Sequence, residues 1–130
     1  MTDIDLPIID MAAPMAGFPA HRQFVLVRLN DEGLLYAFTS VQDPSLRFLV
    51  APPEPFFPDY APEIENDTLA ALNNKDPDRV LVMVVITAGT EETTANLLAP
   101  IIVDRDSRRA MQVILQDSSM PVRAVMRRNY

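Results

Sequence analysis

The chain contains no cysteine. That excludes a disulfide scaffold, a thiolate nucleophile and any zinc site built on sulfur. Its single histidine, His21, can complete neither a zinc site without Cys partners nor a His-containing catalytic triad. Glycine is almost as scarce, at three residues (Gly17, Gly33 and Gly89). Phosphate-cradling loops of the Rossmann and Walker kinds need several glycines close together, so nucleotide cofactors are not expected. No apolar run reaches the roughly 18 residues of a membrane span. Residues 1–20 carry Asp3, Asp5 and Asp10 but no Lys or Arg, which does not fit a secretory signal. The expectation is a cytoplasmic protein with no cofactor, no metal and no membrane contact.

What remains is enough to build a core. The 130 residues are 48% hydrophobic and 22% charged, which suits one folded domain over 1–130. The net charge of −7 is unevenly spread. Residues 1–79 hold 13 acidic and 5 basic side chains, whereas 80–130 hold 5 acidic and 6 basic. An acidic face repels phosphate backbones, so direct binding of nucleic acid is not expected. The same face speeds encounter with a basic partner protein, although a charge of this size also serves solubility alone.

Strand signals dominate. Gln23–Leu29 and Leu34–Val41 are rich in Val, Phe and Tyr, and Asp31-Glu32-Gly33 between them fits a hairpin turn. Leu46–Val50 is a third strand, entered through Asp43-Pro44. Val80–Thr87 is a continuous apolar run, the pattern of a strand covered on both faces. Ala99–Val103 and Met111–Leu115 form a further pair around the charged turn Asp104–Arg109. Thr68–Asn73 is the one helix candidate, with Asp67 as its cap and Leu69 and Leu72 on one face. The expected fold is mainly β, a small antiparallel pseudo-barrel or roll with one short capping helix.

Two stretches are not explained by backbone rules. The first is Phe56-Phe57-Pro58-Asp59-Tyr60, set in a loop with prolines at 52, 53, 55, 58 and 62. Turns select Gly, Asn, Asp and Pro for dihedral reasons, not aromatics. These aromatics are therefore either packed under the loop or offered to a partner, and a stiff Pro-rich loop loses little entropy on binding. The second is Thr94-Ala95-Asn96-Leu97-Leu98-Ala99-Pro100, where Asn96 can brace neighbouring backbone while Leu97 packs or extends an apolar patch. The carboxylates Asp59, Glu63, Glu65 and Asp67 could in principle serve acid–base chemistry, but a loop and a helix start favour solvated acidic side chains. No catalytic residues are assigned.

These stretches resemble the signatures of the flagellar assembly factor FliW family. Gly17-Phe18 with Phe24-Val25-Leu26 resembles the family's entry to its first long strand, and Ser40-Val41-Gln42-Asp43-Pro44 with Phe56-Phe57-Pro58-Asp59-Tyr60 resembles its central signature. Thr94, Asn96-Leu97 and Ala99-Pro100-Ile101 resemble its second signature, and Gln112 its closing strand. The blocks occur in order from about Gly17 to Arg123. The segment before Gly17 is shorter than the family's usual opening, which implies an absent or altered edge strand, and Ala110 stands where Gly is common. The resemblance implies a β pseudo-barrel without enzymatic activity. It implies two protein partners, the translational repressor CsrA and newly made flagellin. Phe56, Phe57, Asp59, Tyr60, Asn96 and Leu97 are the expected partner-binding residues. The other reading is a small β-barrel interaction protein with a different protein client.

Overall fold

Alternating apolar and β-branched residues make strands here because each strand has one face inside a barrel. The computed structural model describes residues 8–117 and 119–126. Among these residues eight strands run in chain order: β1 (Ile9–Met11), β2 (Gln23–Arg28), β3 (Tyr36–Ser40), β4 (Arg47–Ala51), β5 (Val80–Ala88), β6 (Thr93–Asp104), β7 (Arg109–Gln112) and β8 (Ala124–Val125). One helix, α1 (Asn66–Ala71), and a 3₁₀ turn at Pro77–Arg79 lie between β4 and β5. Strands β1 to β7 pair in succession, and β7 returns to β1, so seven strands close a barrel. Strand β8 adds to the first half of β6.

The mainly β barrel with one short helix agrees with the sequence. Two features do not. The closing pair β1–β7 is parallel, Asp10 facing Arg109 and Met11 facing Ala110, whereas the other pairings are antiparallel. And the N-terminal strand, expected to be absent or altered, is not lost. Strand β1 is present, pairs on both sides, and buries Ile9 and Met11 in the barrel. Three residues with Asp10 in the middle are too few to show a strand period in the sequence. Ala110, at the position noted for glycine, is fully buried in β7.

The barrel interior is filled by Ile9, Met11, Met15, Phe24, Leu26, Phe38, Val50, Met83, Ile101 and Val103. Phe24 stacks on Phe38 with centroids 4.5 Å apart, and Phe48 makes an edge contact with Phe18 at 5.4 Å. Each such side chain contributes about 1.5–3 kcal/mol by leaving water. Successive strand residues point to opposite faces. Met83 therefore enters the barrel while Val84 faces outward, where Val84, Ala95 and Leu97 form a second, smaller cluster. That is why the Val80–Thr87 run is apolar on both faces.

Turn chemistry is local. Between β2 and β3, Gly33 has φ +72, and the Asn30 carboxamide accepts the Leu34 N–H at 2.9 Å. Between β5 and β6, a Cβ on Gly89 would lie 2.6 Å from the Glu92 carbonyl oxygen, so this tight turn requires glycine. Helix α1 starts two residues earlier than expected, and Asp67 lies in its first turn rather than capping it. Glu65 is the N-cap and makes no side-chain cap bond.

The helix is held at its other end. Its last carbonyls accept hydrogen bonds from the β6–β7 turn: Ser107 Oγ to Leu72 O at 2.6 Å and Arg109 Nε to Ala71 O at 3.1 Å. A cation at a helix C-terminus also opposes the negative end of the helix dipole. The turn is organised by Asp104, which is 1% exposed and accepts from Asn74 Nδ2 (3.2 Å) and the Ser107 N–H (3.2 Å). Burial pushes its carboxyl upward, but the donors of Ser107, Asn74 and Asp106 outweigh this and hold it below the usual carboxylate range.

Candidate functional site

The two unexplained stretches meet on the outer face of β5 and β6. Strand β6 carries an irregularity there. Between the pairs Met83–Ile101 and Val85–Asn96, β5 advances by one residue, Val84, while β6 advances by four, Leu97–Pro100. An insertion of this kind bends a strand and strips backbone groups of their ladder partners. Each group must then be satisfied another way.

The sequence supplies a partner for each. Asn96 Oδ1 accepts the N–H of Leu98 (3.0 Å) and of Ala99 (3.1 Å). The Leu97 N–H donates to Pro121 O (3.0 Å), and Leu97 O accepts from Tyr60 Oη at 2.7 Å. Leu98 O accepts the Leu115 N–H (2.9 Å), Ala99 O accepts Gln112 Nε2 (3.2 Å), and Pro100 O accepts the Val113 N–H (3.0 Å). Pro100 has no N–H to satisfy, which suits proline to a bulge.

The aromatic loop folds onto this bulge. Two successive turns, Phe56 and Phe57 N–H to Pro53 O and Tyr60 N–H to Phe57 O, place Phe57 and Tyr60 three residues apart on the inner side. Both pack on the Val84–Ala95–Leu97 cluster. Burial pushes the Tyr60 phenol up to about 12, so it remains a donor to Leu97 O throughout the physiological range. Of the six expected partner-binding residues, Phe57, Tyr60 and Leu97 thus lie in one cluster. Asn96 braces the adjoining backbone, Phe56 is half-buried, and Asp59 is exposed. Tyr60→Phe should lower unfolding free energy by about 1 kcal/mol, the net value of one such bond, measured by chemical denaturation. A change near zero would mean that water replaces the phenol.

The C-terminal stretch, for which the sequence raised no expectation, completes the site. Met120, Ala124 and Met126 cover the same cluster, and β8 pairs Ala124 and Val125 with Ala95 and Thr94. A signal existed: Met120, Val122, Ala124 and Met126 alternate with period two.

The carboxylates Asp59, Glu63, Glu65 and Asp67 are all exposed, and Glu65 Oε2 accepts Gln116 Nε2 at 3.2 Å. Among the described residues, no three His, Asp or Glu side chains are grouped to hold a metal ion. No helix among them is long and apolar enough to cross a membrane.

The family model for the FliW protein matches residues 2–126, nearly the whole chain and including the N-terminal strand. The chain belongs to the FliW family. The FliW of Bacillus licheniformis, named a flagellar assembly factor, is 38% identical over 107 residues, covering 81% of this chain and 75% of that protein. The Bacillus subtilis FliW, also so named, is 38% identical over 114 residues, covering 86% and 80%. A crystal structure of the flagellar assembly factor FliW superposes with a TM-score of 0.84 at 31% identity, covering 91% of this chain and 84% of that one. Four of the FliW signature residues noted in the sequence, Tyr60, Asn96, Pro100 and Gln112, each satisfy or spare a polar group of the bulge.

Proposed function

We propose that this FliW protein is a flagellar assembly factor that works by exchanging two protein partners. It binds CsrA and relieves repression of flagellin synthesis, and it binds newly made flagellin as a chaperone-like partner. Flagellin that accumulates takes the protein away from CsrA, so flagellin level sets flagellin translation. All of this takes place in the cytoplasm and requires no catalysis.

Family membership supports the reading, and one observation supports the choice of contact surface. The Tyr60 hydroxyl on Leu97 O joins the aromatic loop to the β6 bulge, 37 residues apart in sequence. In this reading the contact surface comprises Phe56, Phe57, Asp59 and Tyr60 of the aromatic loop with Asn96 and Leu97 of the β6 bulge. The acidic first part of the chain favours encounter with a basic partner such as CsrA. Titration calorimetry of the purified chain against CsrA, and separately against flagellin, from the same organism tests the proposal. Saturable binding to each is expected. Binding to neither would move the function to a different protein client.

A further inference from the structure

Past Gln112 the chain leaves β7 and stays extended. The N–H groups of Val113 and Leu115 point to one side, onto Pro100 O and Leu98 O in the bulge. In extended backbone, neighbouring residues aim their polar groups at opposite edges. The N–H and carbonyl of Ile114 therefore face outward. Strand β1 shields this outer edge only as far as Ala110, whose carbonyl accepts the Ala12 N–H at 2.7 Å. No described residue hydrogen-bonds the Ile114 backbone.

An open strand edge is a template for a further strand, and proteins ordinarily blunt it with Lys, Pro or a covering loop. Here the edge carries Ile114 instead, 76% exposed and the most exposed large apolar side chain among the described residues. Beside it lies a groove of about 310 Å³. Its apolar lining includes Ile64, Leu115 and Met120, all half-buried. Glu63, Glu65 and Asp117 form an exposed acidic rim, and among the described residues no Lys, Arg or His lines the groove. Gln116 Nε2 on Glu65 Oε2 ties one wall to the other. The volume is at the lower end of ligand pockets, enough for one or two side chains.

We infer that this edge docks an extended segment of a partner protein, which adds a strand along Ile114, seats an apolar side chain in the groove and sets flanking Lys or Arg side chains against Glu63, Glu65 and Asp117. Same-face residues of such a segment are about 7 Å apart, so the pattern recognised is basic, any, apolar, any, basic. Main-chain pairing provides affinity and the groove provides selectivity. The inference is independent of which proteins exchange on the face described above.

The test is an NMR titration of the ¹⁵N-labelled full chain with the capped peptide Lys-Thr-Val-Thr-Lys, carried to several millimolar. The expected result is saturable movement of the Ile114 amide and its neighbours through Asp117. The charge-reversed peptide Glu-Thr-Val-Thr-Glu should bind at least about tenfold more weakly. Glu63→Lys, an exposed change that leaves the fold intact, should weaken the basic peptide in the same direction. No saturable movement, equal binding of the two peptides, or movement confined to other residues would overturn the inference.

Discussion

Asn96→Ala is expected to destabilise the fold by about 2–3 kcal/mol. The carboxamide oxygen serves two backbone donors, the N–H groups of Leu98 and Ala99, inside a bulge where the β5 ladder provides no substitute. Removing it leaves both N–H groups half-buried and unpaired, and each such group costs about 1–3 kcal/mol. For a chain of this size the loss lowers the melting temperature by roughly 10 °C. Asn96→Asp keeps the accepting oxygens and should recover most of the difference. Thermal unfolding of the three proteins distinguishes a brace from a residue present only for surface contact. An alanine variant as stable as the parent would show that the bulge holds itself.

Asp104→Ala should cost about 3 kcal/mol, because hydrogen bonds to a charged group are worth about 1.5–3 kcal/mol each and two donors lose their acceptor. The loss should spread, since the same turn presents Ser107 and Arg109 to the last carbonyls of α1. Its pH dependence has a definite sign. The Asp104 carboxyl is held below its ordinary value near 4 in the folded chain. The ionised form therefore contributes stability above that ordinary value, and the contribution falls away as pH drops through the lower folded value. Denaturant unfolding at several pH values should find the full difference between parent and variant at pH 7 and a smaller one below about pH 4. A difference that stays constant over this range would mean that the carboxylate charge is not what organises the turn.

The barrel strands β2 to β5 were legible because each combines β-branched or aromatic residues with a clear turn at its ends. Strand β6 was legible only from Ala99 onward. Asn96 and Pro100 interrupt its pattern, and nothing local reveals that four residues face Val84 alone. Strand β1 is too short to carry a period, and β8 is two residues within a short alternating stretch; both exist because neighbours on the barrel hold them. Asp104 reads as one more charge in a charged turn. Its burial follows from the return of α1 and Asn74 to that turn, a separation of 30 residues. At the site, the two loops stood out because their residue types had no backbone reason to be there. Their junction did not, since the Tyr60 hydroxyl and the Leu97 carbonyl are brought together only by closure of the sheet.

A competition titration bears most directly on the partner exchange. The preformed complex of this chain with CsrA is titrated with flagellin from the same organism, and free CsrA is followed by its RNA binding. The account predicts that flagellin releases CsrA in proportion to the flagellin added, with RNA binding restored. A stable ternary complex, or flagellin that binds without displacing CsrA, would contradict it.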